Sequence, residues 1–324
     1  MGANDIVTKD YTDDCHVFAD AFNQYIYKGK QVIDPKRLRP LDATALGVPF
    51  GKKGTGAPVQ KYRDRLKYLT AMEDEDAVYL LMGVENQSKV HYAMPVKDMV
   101  YDALQYASQV EQIAKAHQDE VKKAQLEGTK GTQRRKVSKG EYLSGFYKDD
   151  RLIPVITLVL FFSAEEWDGP MSLHDMMAVQ NPEILALVAD YRINLIAPGN
   201  MSDEEINQFT TSLREVMMFI KYSEEPEKLN QILETDERFR DLDRKAATVI
   251  STVTGMEIEV EEEEEKVDMC GALKGLLGNA KKEGINDERV AIARKMLEEG
   301  SLSKEFIARM VNLSIEEIQA IAVG

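Results

Sequence analysis

Apolar residues fall along the chain in two kinds of run, short strand-like ones and longer ones with helical spacing. Tyr62 to Leu69 (YRDRLKYL) and Ala77 to Glu85 (AVYLLMGVE) are rich in aromatic, branched and apolar residues, and Glu73-Asp74-Glu75-Asp76 separates them. That order predicts strand, turn, strand. Arg151 to Phe162 predicts a further core strand, because Val155 to Phe162 is unbroken apolar text after Pro154. Tyr191 to Ile196 predicts another short one. Helices are predicted over Val17 to Tyr27, from Met94 to about Gln125, from near Ser172, and from the Ser202/Glu205 capping box to about Tyr222. In the Met94 helix, Asp102, Gln105 and Gln112 mark the polar side.

The pattern also divides the chain. Glu261 to Glu265 is an unbroken acidic run, which repels itself and resists packing. It places a linker over residues 257–268, after a first domain of residues 1–256. A small helical region, residues 269–324, follows, with helices over Asp287 to Glu299, Lys304 to Val311 and from the Ser314 capping box to Ala322.

Composition narrows the function classes. The chain has 324 residues, 44% apolar and 30% charged, which is ordinary for a soluble protein. Its longest apolar run is far short of the ~20 residues that span a bilayer, and the N-terminus lacks a basic and then apolar signal region. Cytoplasmic residence without membrane contact is the expectation. Cys15 and Cys270 cannot form a disulfide framework and are expected as thiols, and the four histidines have no ligand-pair spacing. Gly51-Lys52-Lys53-Gly54-Thr55-Gly56 has the glycine separation of a phosphate loop but continues into Ala57-Pro58, so no nucleotide cofactor is expected.

The hairpin carries the candidate chemistry. If it is symmetric about the middle of its acidic turn, between Asp74 and Glu75, position 64 lies opposite position 85. Opposed residues lie about 5 Å apart at Cβ, and like charges there need neutralising. A divalent cation would neutralise Asp64 and Glu85, and carboxylate oxygens suit Mg²⁺. The strand period of two sets Gln87 and Lys89 on the face of Glu85. Acid, acid, amide and amine would share one face.

The surrounding text resembles a family. FADAFNQYIYKGKQVI (from Phe18), YRDRLKYL, YLLMGVENQ, MPVKDMVYDALQY (from Met94) and YLSGFYKDDRLIPVITLVLFF (from Tyr142) follow one another in an order that looks like the Rpn-type recombination-promoting nucleases, also called transposases, of the PD-(D/E)XK superfamily. The resemblance runs from near Asp20 to about Ile250 and lies in the ordered set. It implies an α/β fold: a restriction-endonuclease-like core, a mixed sheet flanked by helices, with a small helical C-terminal appendage.

The implied activity is Mg²⁺-dependent DNA endonuclease, with Mn²⁺ as the alternative ion, in recombination or mobile elements. Asp64 maps onto the family's first acid, and Glu85-Asn86-Gln87 onto its Glu-x-Lys signature, with Gln in the lysine place. Asp64, Glu85 and the Asn86 carbonyl would hold the metal, and Asp20, on the first core helix, would complete the shell through a water or help hold a second ion. Gln87 would orient the attacking water. The missing charge would come from Lys89 or from Lys97, where similar proteins carry arginine.

A net charge of −15 opposes nucleic-acid binding on average. Basic segments nevertheless flank the hairpin, and Lys28, Lys30, Lys52, Lys53, Lys89, Arg134 and Arg135 are the candidate DNA contacts. The tail from Gly300 resembles the family's helix-turn-helix-like end. Its last helix offers Glu316, Glu317 and Gln319, so a homo-oligomer through these helices fits better than base reading. The alternative is a nucleic-acid-binding or scaffold protein of the same fold with weak or no cleavage.

Overall fold

A five-stranded mixed sheet with helices on both faces organises the N-terminal part of the chain. The computed structural model describes residues 2–40, 65–70, 78–126, 137–256, 258, 265–273, 289–295, 297 and 304–323. Strands β1 (Leu38–Pro40), β2 (Arg65–Thr70), β3 (Val78–Gln87), β4 (Val155–Phe161) and β5 (Asn194–Ile196) lie in that order across the sheet. The first three pair antiparallel; β3, β4 and β5 pair parallel. Their parallel join needs a crossover, supplied by the long helix between β3 and β4.

The helices up to residue 254 are α1 (Ala3–Thr12), α2 (Cys15–Tyr27), α3 (Met94–Leu126), α4 (Lys139–Ser144), α5 (Pro182–Leu185), α6 (Asp203–Ile206), α7 (Leu213–Lys221), α8 (Pro226–Thr235) and α9 (Arg244–Thr254). Asp14, in the Asp13–His16 stretch, caps α2 by accepting from the His16 and Val17 amides. Among the described residues, no helix is long and apolar enough to cross a membrane. Cys15 and Cys270 are not joined by a disulfide.

The pleat gives the sheet two unlike faces. Met82, Val84 and Asn86 on β3 alternate with Gly83, Glu85 and Gln87, and the parallel register pairs them with Ile156, Leu158 and Leu160, and with Thr157, Val159 and Phe161. Met82, Val84, Leu158 and Leu160 are fully buried, and α1 lies on that side, where the Asn86 amide donates to the Thr12 hydroxyl at 2.9 Å. Phe18 and Phe22 of α2, rings 5.0 Å apart, are also fully buried.

The other face is covered by α3 and is tied to it by polar groups. The Thr157 hydroxyl donates to Asp102 Oδ1 at 2.7 Å. The Val155 amide donates to Tyr106 Oη at 3.0 Å. The Gln109 side chain exchanges two hydrogen bonds with the Ile153 backbone, at 2.7 and 3.0 Å. Further along, His117 lies 2.9 Å from Asp150 and stacks on Tyr147 at 3.7 Å. The helix therefore runs antiparallel to β4 with its register marked at successive turns. Gly145, at φ 70°, ends α4 where an added Cβ would stand 2.7 Å from the Ala114 Cβ, so only glycine lets the chain pass α3 here.

Several sequence expectations change. Asp102 and Gln105 are buried rather than on a polar side, because α3 turns them toward the sheet. The Ser202/Glu205 capping box forms, but its helix stops at Ile206 and α7 restarts at Leu213. No helix begins at Ser172, which bridges to Arg192; a single 3-10 turn, His174–Met176, follows. The last two predicted strands are shorter, and β3 ends at Gln87, which leaves Lys89 beyond the strand face.

The chain divides into two compact units, Met1–Leu229 with Asp243–Met256, and Asn230–Leu242 with Glu257–Gly324. The second unit thus takes in a segment that the sequence reading gave to the first domain. By itself it holds a small core of Ala293, Ile307, Ala308, Val311 and Ile318, with Leu297, Leu313 and Ile321 against it. Helices Lys304–Val311 and Ile315–Val323 meet through Asn312, at φ 55°, and the Ser314/Glu317 capping box.

Candidate functional site

Glu85 is the centre of the polar face. It stands near the carboxyl end of β3, paired with Val159 of β4, and is only 3% exposed. Two donors reach its Oε1: the Lys97 ammonium, in a close ion pair, and the Gln87 amide at 3.3 Å. Gln87 gets there because it is one strand repeat on. Lys97 gets there because Met94, fully buried among Val159, Phe161, Trp167 and Ile193, anchors the first turn of α3 against the strand ends. The Lys97 side chain keeps 24% exposure, so the pair joins a buried acid to a cation that solvent can reach.

That arrangement has definite chemical capacity. A buried carboxylate with an ammonium and an amide beside it can hold a cation, accept a proton, or align a polar substrate atom, and the ammonium can shift to an incoming anion. The donor set fits a hard cation as far as it is described: Glu85 offers carboxylate oxygen, the donor type that Mg²⁺ takes. Among the described residues no group of three or more His, Cys, Asp or Glu is placed to hold a metal.

No family model, curated protein or solved structure matches the chain.

Of the residues singled out in the sequence, Glu85, Gln87 and Lys97 come together. Asp64 lies outside the described residues, as do Lys52, Lys53, Arg134 and Arg135. The described pairs nearest to it, Leu66 with Gly83 and Arg65 with Val84, have the register that the symmetric hairpin requires. Asn86 sends its side chain to the opposite face, toward Thr12.

Asp20 is neither a surface acid nor seen beside Glu85. It is buried on α2, and its two oxygens accept five hydrogen bonds, at 2.7 to 3.1 Å, from the amides and hydroxyls of Thr210 and Thr211. That clamp holds the chain just before α7 and explains the break after α6. Lys28 and Lys30 are exposed at the end of α2, Lys28 in the left-handed region.

Lys89 lines a cleft of about 530 Å³ at the carboxyl ends of β3 and β4, with Ser88, Tyr92, Ser163, Glu165, Glu166 and Asp168. Ligands of open α/β sheets bind beyond the carboxyl ends of parallel strands. The Tyr92 hydroxyl donates to Asp168 at 3.0 Å, and this bond, with the Asp168 charge, raises the phenol's pKa. Trp167, between these acids, is core: it meets Phe161 edge-on at 5.2 Å.

Sequence reasoning did not single out the Asp102–Tyr191 pair. The Tyr191 hydroxyl donates to Asp102 Oδ2 at 2.5 Å, opposite the Thr157 bond. A signal was present: Met94, Asp98, Tyr101, Asp102 and Gln105 fall on one helical stripe, and all five are buried.

Proposed function

We propose that the chain is a metal-dependent DNA endonuclease whose site is formed by Asp64, Glu85, Gln87 and Lys97. The observation that carries the reading is the convergence of the Lys97 ammonium and the Gln87 amide on the buried Glu85 carboxylate. An acid followed two residues later by an amide lacks the cation of the Glu-x-Lys signature, and α3 supplies one to the same carboxylate. Antiparallel β1–β2–β3 joined to parallel β3–β4–β5, with helices on both faces, supports a restriction-endonuclease-like core.

In this reading Asp64, Glu85 and the Asn86 carbonyl would hold Mg²⁺ or Mn²⁺. The ion would supply Lewis-acid polarisation of a phosphate oxygen and acidify a water. Gln87 would orient the attacking water, and the Lys97 side chain would swing its ammonium from Glu85 toward the negative charge that grows on the phosphate. Lys28, Lys30 and Lys89, with the basic residues outside the described part, contact the DNA backbone. Asp20 acts in this scheme as the anchor of the Thr210–Thr211 loop. The enzyme works in the cytoplasm and self-associates through its C-terminal helices.

One observation favours a second reading. Lys97 already neutralises Glu85 without any metal, so the pair also suits a protein that keeps the fold and binds nucleic acid without cutting it.

Supercoiled-plasmid cleavage in Mg²⁺, Ca²⁺ or EDTA separates the two. The nuclease reading expects Mg²⁺-dependent nicking by the intact chain, its loss in Asp64→Ala and Glu85→Ala, and a fall of about a hundredfold or more in kcat in Lys97→Met. No cleavage across metals and DNA forms, with retained DNA binding, supports the second.

A further inference from the structure

We propose that Asp102 is the positioning residue of this site: it fixes the register of α3 on the sheet and so delivers Lys97 onto Glu85. The catalytic consequence rests on the nuclease reading, whereas the geometric role does not.

Lys97 is a flexible side chain, and its contact with Glu85 depends on where the first turn of α3 sits. A slip of one residue moves that turn by ~1.5 Å and rotates it by ~100°. The packing of Met94 opposes such a slip, and directed bonds add a register that only one alignment satisfies. Asp102 is five residues from Lys97, ~7.5 Å along the axis, and is 6% exposed. Its two oxygens accept from two different elements, Thr157 of β4 at 2.7 Å and Tyr191 before β5 at 2.5 Å.

An apolar side chain would avoid the desolvation cost of a carboxylate. What the carboxylate adds is direction. Lys97 bonds to β3 and Asp102 to β4, so the two ties straddle the strand pair. Tyr106 and Gln109, further along α3, bond to backbone around Ile153 and Val155. Asp102 reads side chains on two neighbouring elements.

The test measures how fast individual lysines of the full chain are labelled by reductive methylation, read peptide by peptide in a mass spectrometer. Lys221, paired with Asp203 at 2.7 Å, is the internal control. Asp102→Ala is expected to raise the labelling rate of Lys97 about tenfold and to leave Lys221 unchanged. Asp102→Asn, whose amide can accept from one hydroxyl and donate to the other, is expected to restore most of the protection. If Lys97 labels at the intact rate in a folded Asp102→Ala chain, the proposal is wrong.

Should Asp102→Ala unfold, both lysines rise together, and Tyr191→Phe then decides. It removes one of the two hydroxyls, and a rise of about threefold confined to Lys97 is expected; no rise overturns the role. An intact chain that cleaves no DNA would sink the nuclease reading alone, since labelling is independent of turnover. With cleavage present, Asp102→Asn is expected to change kcat far less than Lys97→Met while leaving KM for DNA unaltered.

Discussion

The two faces of the sheet hold their helices with different mixtures of apolar and polar contact. Toward α1, β3 and β4 present Met82, Val84, Leu158 and Leu160, all fully buried, with Asn86 meeting Thr12 among them. Toward α3 the same strands present the fully buried Val159 and Phe161 together with Glu85, Gln87 and Thr157, and Lys97, Asp102, Tyr106 and Gln109 bind side chains or backbone there and along the approach to β4. Apolar burial is worth about 25 cal/mol per Å², so the first face supplies mainly stability. Buried polar ties contribute modestly to stability yet fail when misaligned, so the second face supplies a fixed geometry. The candidate site stands on the second face.

Core truncation on the apolar side should give the largest effect. Phe22→Ala, at a fully buried ring tilted against Phe18, is expected to cost about 3 to 5 kcal/mol in urea unfolding, with the Lys97 labelling rate of the folded protein unchanged. A change in that rate would show that the faces are not separable. On the polar side, Lys97→Met strands a buried carboxylate and should cost about 2 to 3 kcal/mol, less than for a fully buried pair because solvent reaches the lysine. Removing both charges, in Glu85→Gln with Lys97→Met, should cost less than the two single changes added together. Strict additivity would mean that the pair contributes no coupling.

Which parts were legible in the sequence follows the same division. The β2–β3 register could be read because a two-residue period and an acidic turn are local signals, and Arg65 does stand opposite Val84. The β4 strand could be read because Val155 to Phe161 is unbroken apolar text. Glu85 and Gln87 share a face by strand period alone, and Lys97 joins them from the next helix. The α6–α7 break could not be read. A capping box announces a helix start, but the chain between α6 and α7 is held by a carboxylate on α2, Asp20, almost the whole unit away in sequence.

Likewise Asp102 and Gln105 look like solvent residues one by one; their burial depends on which side of α3 the sheet takes. The missing helix at Ser172 has the same origin, since Arg192 competes for that backbone. Short-range periodicity was informative, and polar long-range pairing was not.

A single hydrogen bond sharpens the comparison further. Thr157→Val keeps the shape of a fully buried side chain and removes one donor to Asp102, so it should cost about 1.5 kcal/mol, below Lys97→Met. It should also raise Lys97 labelling, which Phe22→Ala should not. A cost near zero would assign the hold on α3 to apolar contacts and erase the distinction between the faces.

The smallest effect is expected where a polar tie stands half in solvent. Asp203 accepts from the Lys221 ammonium at 2.7 Å and the Tyr222 hydroxyl at 2.5 Å, linking α6 to α7. Burial works to raise the Asp203 pKa, but these two hydrogen bonds and the lysine charge outweigh it, and the carboxyl is held below its usual value. A carboxyl with a depressed folded pKa stabilises above its unfolded value, near 3.9, and loses that stabilisation as pH falls through the folded one. Because the group is largely exposed and screened, its share should be about 0.5 kcal/mol at most. Urea midpoints of the intact chain and Asp203→Asn should differ slightly at pH 6 and converge as pH drops below about 4. A gap that widened on acidification would mean that Asp203 is held protonated in the fold. A gap of several kcal/mol would instead show that an exposed tie can orient a helix as firmly as Asp102 does from inside.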